Sequence, residues 1–105
     1  MAQWLLELPN PPTAIMCGND LLALGALQAA RIRGLRVPDD VAVTGFNDFE
    51  FAQFADPPLT TVRVPGYDLG RIGAESLIAR LGGEAPPAAG ERLTLPVEIQ
   101  VRGSA

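Results

Sequence analysis

The sequence predicts an α/β fold built on a parallel sheet, and three observations predict it. Two short apolar runs, AIMCGND at 14–20 and VAVTGFND at 41–48, each pass through Gly and stop on Asn-Asp. The run LLALGALQAARIRG between them is helical in composition and closes on Gly34. Strand, helix, strand is a βαβ unit, which joins parallel strands. The second run also barely alternates between polar and apolar, as expected of a strand covered on both faces in a parallel sheet.

The elements follow in order. MAQWLLELPNPP reads as the last turn or two of an amphipathic helix, with Trp4, Leu5 and Leu8 on one side and Pro9 as its stop. It lacks the basic start and small-residue cleavage site of a signal peptide. A helix so short is marginal in water, which leads us to expect further chain before it. Thr13 to Cys17 is the first strand, and Asn19 or Asp20 caps the next helix, with Asp20 the preferred cap. Gly34 is placed as the C′ residue, and Leu35 makes the hydrophobic contact that follows it. Val37-Pro38-Asp39-Asp40 turns the chain; its two acids are explained by solvation and turn formation. Val41 to Phe46 is the second strand, FEFAQFADPP a short helical or irregular stretch, and Leu59 to Val64 the third strand. Tyr67 to Leu81 reads as an amphipathic helix with Leu69, Ile72, Leu77, Ile78 and Leu81 toward a core, ended by Gly82-Gly83. EAPPAAGE is a Pro/Ala/Gly loop, and RLTLPVEIQVRG closes the chain as extended structure broken at Pro96.

Composition narrows the functions. The 105 residues carry 12 acids and 8 bases, all of the bases Arg, for a formal net charge of -4. No basic stripe is present, so this stretch by itself is not expected to bind DNA. With no His, the chain has no Ser-His-Asp or Cys-His nucleophile and no histidine-based metal site. Its single Cys makes no internal disulfide, which fits a reducing compartment. No window is long enough to span a membrane. A carboxylate-dependent hydrolase needs two acids converging in one site, whereas these acids sit at opposite strand ends or at caps. We therefore expect no enzyme and no cofactor.

The paired Asn-Asp endings have a physical reading. In open parallel sheets, ligands sit beyond the carboxyl ends of the strands. If the two strands are neighbours, Asn19 and Asp20 stand beside Asn47 and Asp48, about 4.8 Å away, and line one rim. Carboxylates accept hydrogen bonds and amides both donate and accept, so the rim suits a polyhydroxylated or nitrogen-rich small molecule. Capping alone accounts for Asp20, and Asn19 serves equally as cap or ligand contact. An Asx turn would also explain Asn47 and Asp48, for which ligand contact is the preferred reading.

The helix from Leu21 to Ile32 has almost no polar face, since Leu21, Leu22, Leu24, Leu27 and Ile32 alternate with five Ala or Gly residues. One side packs on the sheet and the other is expected to face a second subunit. Phe49, Phe51 and Phe54 add an apolar patch of the kind that marks an interface.

The words GNDLLALGAL, GLRVPDDVAVTGFND, PPLTTV and VRGS, in this order and at close spacing, resemble the carboxy-terminal part of the lactose-repressor/galactose-repressor (LacI/GalR) transcriptional regulators. The resemblance runs from Pro12 to Ser104. It implies an incomplete portion of a type I periplasmic-binding-protein-like fold, in which two doubly wound subdomains hold a small effector, often a sugar or purine. It implies residues 1–63 as part of the carboxy-terminal subdomain, 64–96 as hinge crossover and helix of the other subdomain, and 97–105 as the return strand and tail. It also implies a cytoplasmic homodimer or higher homo-oligomer that touches DNA only through a helix-turn-helix outside these residues. Asn19 corresponds to a polar contact in the family's cleft. Asn47 occupies a position where the family usually carries Asp, so one charge is missing, and Asp48 stands beside it as a substitute. Tyr67 falls where an aromatic often approaches the cleft. Leu24, Leu27 and the stretch Phe49, Phe51 and Phe54 match the surface through which family members pair. A periplasmic sugar-binding protein of the same fold is the alternative.

Overall fold

The computed structural model describes residues 1–83 and 92–105, and the loop expected at EAPPAAGE lies outside the described residues. The chain divides into two units, one formed by Met1–Val64 with Glu98–Ala105 and the other by Pro65–Val97.

The first unit is built on the expected βαβ. Strand β1 (Ala14–Met16) pairs in parallel with β2 (Ala42–Thr44), Ala14 opposite Ala42 and Met16 opposite Thr44. Helix α2 (Asp20–Ile32) connects them; a short α1 (Ala2–Leu6) precedes β1. The helix ends as its sequence dictates. Gly34 adopts φ 68, its N–H donates to the Arg31 carbonyl at 3.0 Å, and the Leu35 N–H donates to the Ala30 carbonyl at 3.0 Å. These two bonds satisfy carbonyls that the helix end would otherwise leave open.

Beyond β2 the chain passes through a 3₁₀ turn (Glu50–Phe54) into β3 (Thr61–Arg63). Gly45 donates to Thr60 and Asn47 to Val62, both at 2.9 Å, so the continuation of β2 runs parallel to β3. The return strand β4 (Glu98–Gln100) pairs antiparallel with β3, Thr61 opposite Gln100, which makes the arrangement mixed. The tail locks it: Ser104, wholly buried, accepts from Val43 N–H through its carbonyl at 2.8 Å, donates from Oγ to the Val43 carbonyl at 2.6 Å, and accepts at Oγ from Thr60 N–H at 2.8 Å.

The core lies between α2 and one face of the sheet. Ala23, Ala26 and Leu27 pack with Val43, Ala52 and Leu59; Ala29 and Ala30 pack with Leu6 and Val41. The small side chains let the helix lie close to the strands, and contacts at that distance are what make a small core effective. Two expectations are corrected. Leu27 belongs to the intrachain core at 6% exposure, and the outward apolar face of α2 is carried instead by Leu21, Leu22 and Ile32. In α1 it is Leu6 that turns inward, while Trp4 is exposed, because α1 packs against α2 through that one residue and its neighbour Ala2. Leu24 packs partly against the core, whereas Phe49 and Phe54 are exposed and the Phe49 and Phe51 rings lie 5.7 Å apart. The Asp39-Asp40 turn is tied by Arg36, which donates to Asp40 through its backbone N–H at 2.8 Å and its guanidinium at 2.9 Å. Those bonds hold the Asp40 carboxyl down at about 2.

The second unit contains α3 (Gly66–Leu81), with Asp68 in its first turn and Arg80 in its last, the order the helix dipole favours. Arg71 bridges Glu75 at 3.0 Å along its surface. None of its residues is buried, so the expected core contacts of Leu69, Ile72, Leu77, Ile78 and Leu81 are not made. The apolar stripe follows the helical period as anticipated, but among the described residues nothing covers it.

Candidate functional site

The parallel register settles where the two Asn-Asp pairs lie. Asn19 comes three residues after Met16 and Asn47 three after Thr44, and Met16 and Thr44 are register partners. The Asp20 N–H donates to the Phe46 carbonyl at 3.1 Å, which fastens the start of α2 to the turn after β2. The two asparagines therefore share the carboxyl end of neighbouring strands, where ligands bind in such sheets.

Their environments differ. Asn19, not Asp20, is the helix cap: it has extended backbone at φ -161 and its Oδ1 accepts from Leu22 N–H at 2.8 Å. Its NH₂ group makes no hydrogen bond among the described residues. Asn47 sits at φ 106 and Asp48 at φ 57, two consecutive non-glycine residues in left-handed backbone. Each such residue costs about 1–3 kcal/mol and persists only when its surroundings over-determine it. The half-buried Asn47 amide side chain makes no hydrogen bond among the described residues.

The two aspartates are anchors. Asp20 is wholly buried, which corrects its placement both as cap and as a rim residue. One carboxylate oxygen accepts from Thr61 Oγ1 at 2.5 Å and the other from Phe49 N–H at 2.7 Å. A buried carboxylate needs such partners, and here they join α2, the turn after β2, and β3. Gly45 is required beside it, because a Cβ there would run into the Asp20 carboxylate and lie 2.9 Å from Leu59. Asp48, with a side chain only 6% exposed, accepts from Arg102 at 2.7 Å and from Arg63 at 2.8 Å. Burial pushes its carboxyl pKa up, but the hydrogen bonds and charges of Arg102 and Arg63 outweigh that and leave it below the ordinary value. Both of its oxygens are thus engaged by the chain itself.

Tyr67 lies in the first turn of α3, in the second unit, and is 83% exposed. Two apolar hollows flank the sheet. One, of about 600 Å³, is lined by Met16, Thr44, Phe46, Thr60, Val62 and Ile99 among others; the other, of about 530 Å³, runs between α1 and α2. Neither asparagine lines them. Among the described residues no group of His, Cys, Asp or Glu is arranged to hold a metal ion.

Sequence reasoning missed Ser104, Thr61 and Arg102. A signal existed for Thr61, since two Thr in succession at the head of a strand place one hydroxyl inward, and an inward hydroxyl needs a partner.

The periplasmic-binding-protein-like domain family matches residues 1–105. A lactose operon repressor from Rhizobium radiobacter is 41% identical over 104 residues, covering 99% of this chain and 89% of that protein. The chain belongs to the LacI family of periplasmic-binding-protein-like domains. The transcriptional repressor CytR of Escherichia coli K12 is 44% identical over 102 residues, which are 97% of this LacI-family chain and 29% of the repressor. A putative LacI regulator from Bacillus cereus superimposes with a TM-score of 0.89 at 34% identity, over 99% of this chain and 38% of that one. A LacI-family regulator from Arthrobacter, solved in complex with lactose, superimposes with a TM-score of 0.80 at 34% identity, over 98% of this chain and 38% of that one. These four relatives are named as transcriptional regulators or repressors, and the chain spans less than two fifths of the length of CytR and of the two solved regulators. No helix among the described residues is long and apolar enough to cross a membrane.

Proposed function

We propose that this chain supplies one wall of the effector site and the self-association surface of a cytoplasmic transcriptional regulator. The observation that carries the reading is the register of β1 and β2, which brings Asn19 and Asn47 to one strand end. The effector is a sugar or a purine-like molecule, with sugars favoured because a structural relative was solved with lactose and another, CelR, with cellobiose. Asn19 donates through its NH₂ group and Asn47 both donates and accepts, a set that matches hydroxyls or ring nitrogens. Tyr67, exposed in the first turn of α3, is a further candidate ligand contact. Residues 1–63 and 97–105 belong to one subdomain and 64–96 to the other. DNA is bound through a helix-turn-helix elsewhere in the protein, pairing uses Leu21, Leu22, Ile32, Phe49 and Phe54, and no reaction is catalysed.

Calorimetric titration of the full-length regulator with lactose and with cellobiose tests the reading. We expect Asn47→Ala to weaken binding roughly tenfold or more by leaving ligand polar groups unpaired. Asn19→Ser, which keeps a cap oxygen but replaces the amide NH₂ with a shorter hydroxyl, should weaken it less. Affinities unchanged in both variants would refute the assignment.

A further inference from the structure

We propose that Asp48 is the positioning residue of the effector rim: clamped by Arg63 and Arg102, it holds Asn47 in its left-handed conformation and straps that turn to the two strands through which the chain leaves and re-enters this unit. The inference rests on the effector reading of Asn47 given above.

The geometry is specific. Arg63 closes β3, one residue before Val64, where the chain leaves the unit, and Arg102 follows β4, which begins at the point of return, Glu98. Among the described residues Asp48 is the one carboxylate both guanidiniums share, one on each oxygen, Arg63 Nε on Oδ2 and Arg102 Nη2 on Oδ1. Arg102 is itself fixed: its NH1 donates to the Leu59 carbonyl at 2.9 Å, and its backbone N–H donates to Thr60 Oγ1 at 2.9 Å. Arg63 has a second, longer partner in Glu98 at 3.6 Å and is half exposed. The strain at Asn47 and Asp48 therefore has a rigid support on one side, through Arg102, and an adjustable one on the other, through Arg63. Release of the Asp48 carboxylate would leave the turn held at Asn47 by its N–H bond to Val62 and on either side by the bonds of Phe46 and Phe49 to Asp20, with no side-chain support at residue 48 itself. A side chain presented from a left-handed residue changes direction when that backbone relaxes to ordinary φ, so the strap determines where the Asn47 amide points.

Hydrogen exchange by NMR on the full-length protein, without effector, tests the strap. The Asn47 N–H should exchange roughly tenfold or more faster in Asp48→Asn and in Arg102→Gln, while the Ala26 and Ala30 amides of α2 keep their wild-type rates. Arg63→Gln, at a half-exposed site, should give a smaller change of the same kind. In the wild type, protection at Asn47 should also fall as pH is lowered through the titration of Asp48, a step that Asp48→Asn lacks and Glu98→Gln retains. Equal acceleration in α2 and at Asn47, or no acceleration at Asn47, would overturn the proposal. Titration with lactose and cellobiose separates the two readings. Loss of sugar affinity in Asp48→Asn with unchanged exchange at Asn47 refutes the strap alone; altered exchange in a protein that binds neither sugar counts against the effector rim alone.

Discussion

Asp20, Gly45 and Asp48 form the turn that carries Asn47, and each does so for a different physical reason. Asp20 is a buried carboxylate whose two oxygens are satisfied by Thr61 and Phe49. Asp20→Ala would leave the Phe49 N–H and the Thr61 hydroxyl without their acceptor; it should destabilise the fold by about 2–3 kcal/mol, read by urea unfolding. Gly45 is there because nothing larger fits against Asp20 and Leu59, so Gly45→Ala should cost about 1–3 kcal/mol through overpacking, measured by the same curve. Asp48 makes stability depend on pH. Its folded pKa lies below the ordinary value of 3.8, so its contribution is complete above that value and is lost as pH falls through the lower folded pKa. Unfolding free energy measured from pH 6 down to pH 2.5 should therefore drop more steeply in the wild type than in Asp48→Asn. Equal slopes would show that the two arginines do not stabilise the ionised form.

At the scale of elements, the boundaries of α2 follow from its two ends. Asn19→Ala removes the cap bond to Leu22 and should cost about 1 kcal/mol, whereas Asn19→Ser should cost a few tenths. Gly34→Ala places a Cβ at φ 68 and should cost about 1–2 kcal/mol in thermal or urea unfolding. The same locality explains what the sequence shows and what it conceals. Strands β1 and β2, helix α2 and its glycine stop are legible because apolar runs, an Asx cap and a C′ glycine act within a few residues. Which face of α2 packs inward is not legible, because Leu21 and Leu22 are as apolar as Leu27 and periodicity cannot choose between two apolar faces. The partner of Asp20 lies 41 positions away and that of the Ser104 hydroxyl 61 away, so neither contact leaves a local pattern. The cap falls on Asn19 and not on the preferred Asp20 because both residue types cap helices, and only the long-range partners of Asp20 tell them apart.

On the scale of the whole molecule, the exposed side chains of Leu21, Leu22, Ile32 and Phe54, between 60% and 76% open, exceed what scattered surface hydrophobics explain. Regulators that pair through such a surface lose pairing when a charge enters it. Leu22→Glu should convert the full-length protein from dimer to monomer in size-exclusion chromatography with light scattering, with its circular dichroism unchanged. A wild-type protein that stays monomeric at micromolar concentration would contradict the assignment. The organising feature of the molecule remains the common end of β1 and β2, with polar amides supported from behind by Asp20 and Asp48. A crystal structure of the full-length protein soaked with lactose or cellobiose tests that most directly. The account predicts hydrogen bonds of about 2.7–3.2 Å from one ligand molecule to the side chains of both Asn19 and Asn47. A ligand seated elsewhere, touching neither asparagine, would contradict it.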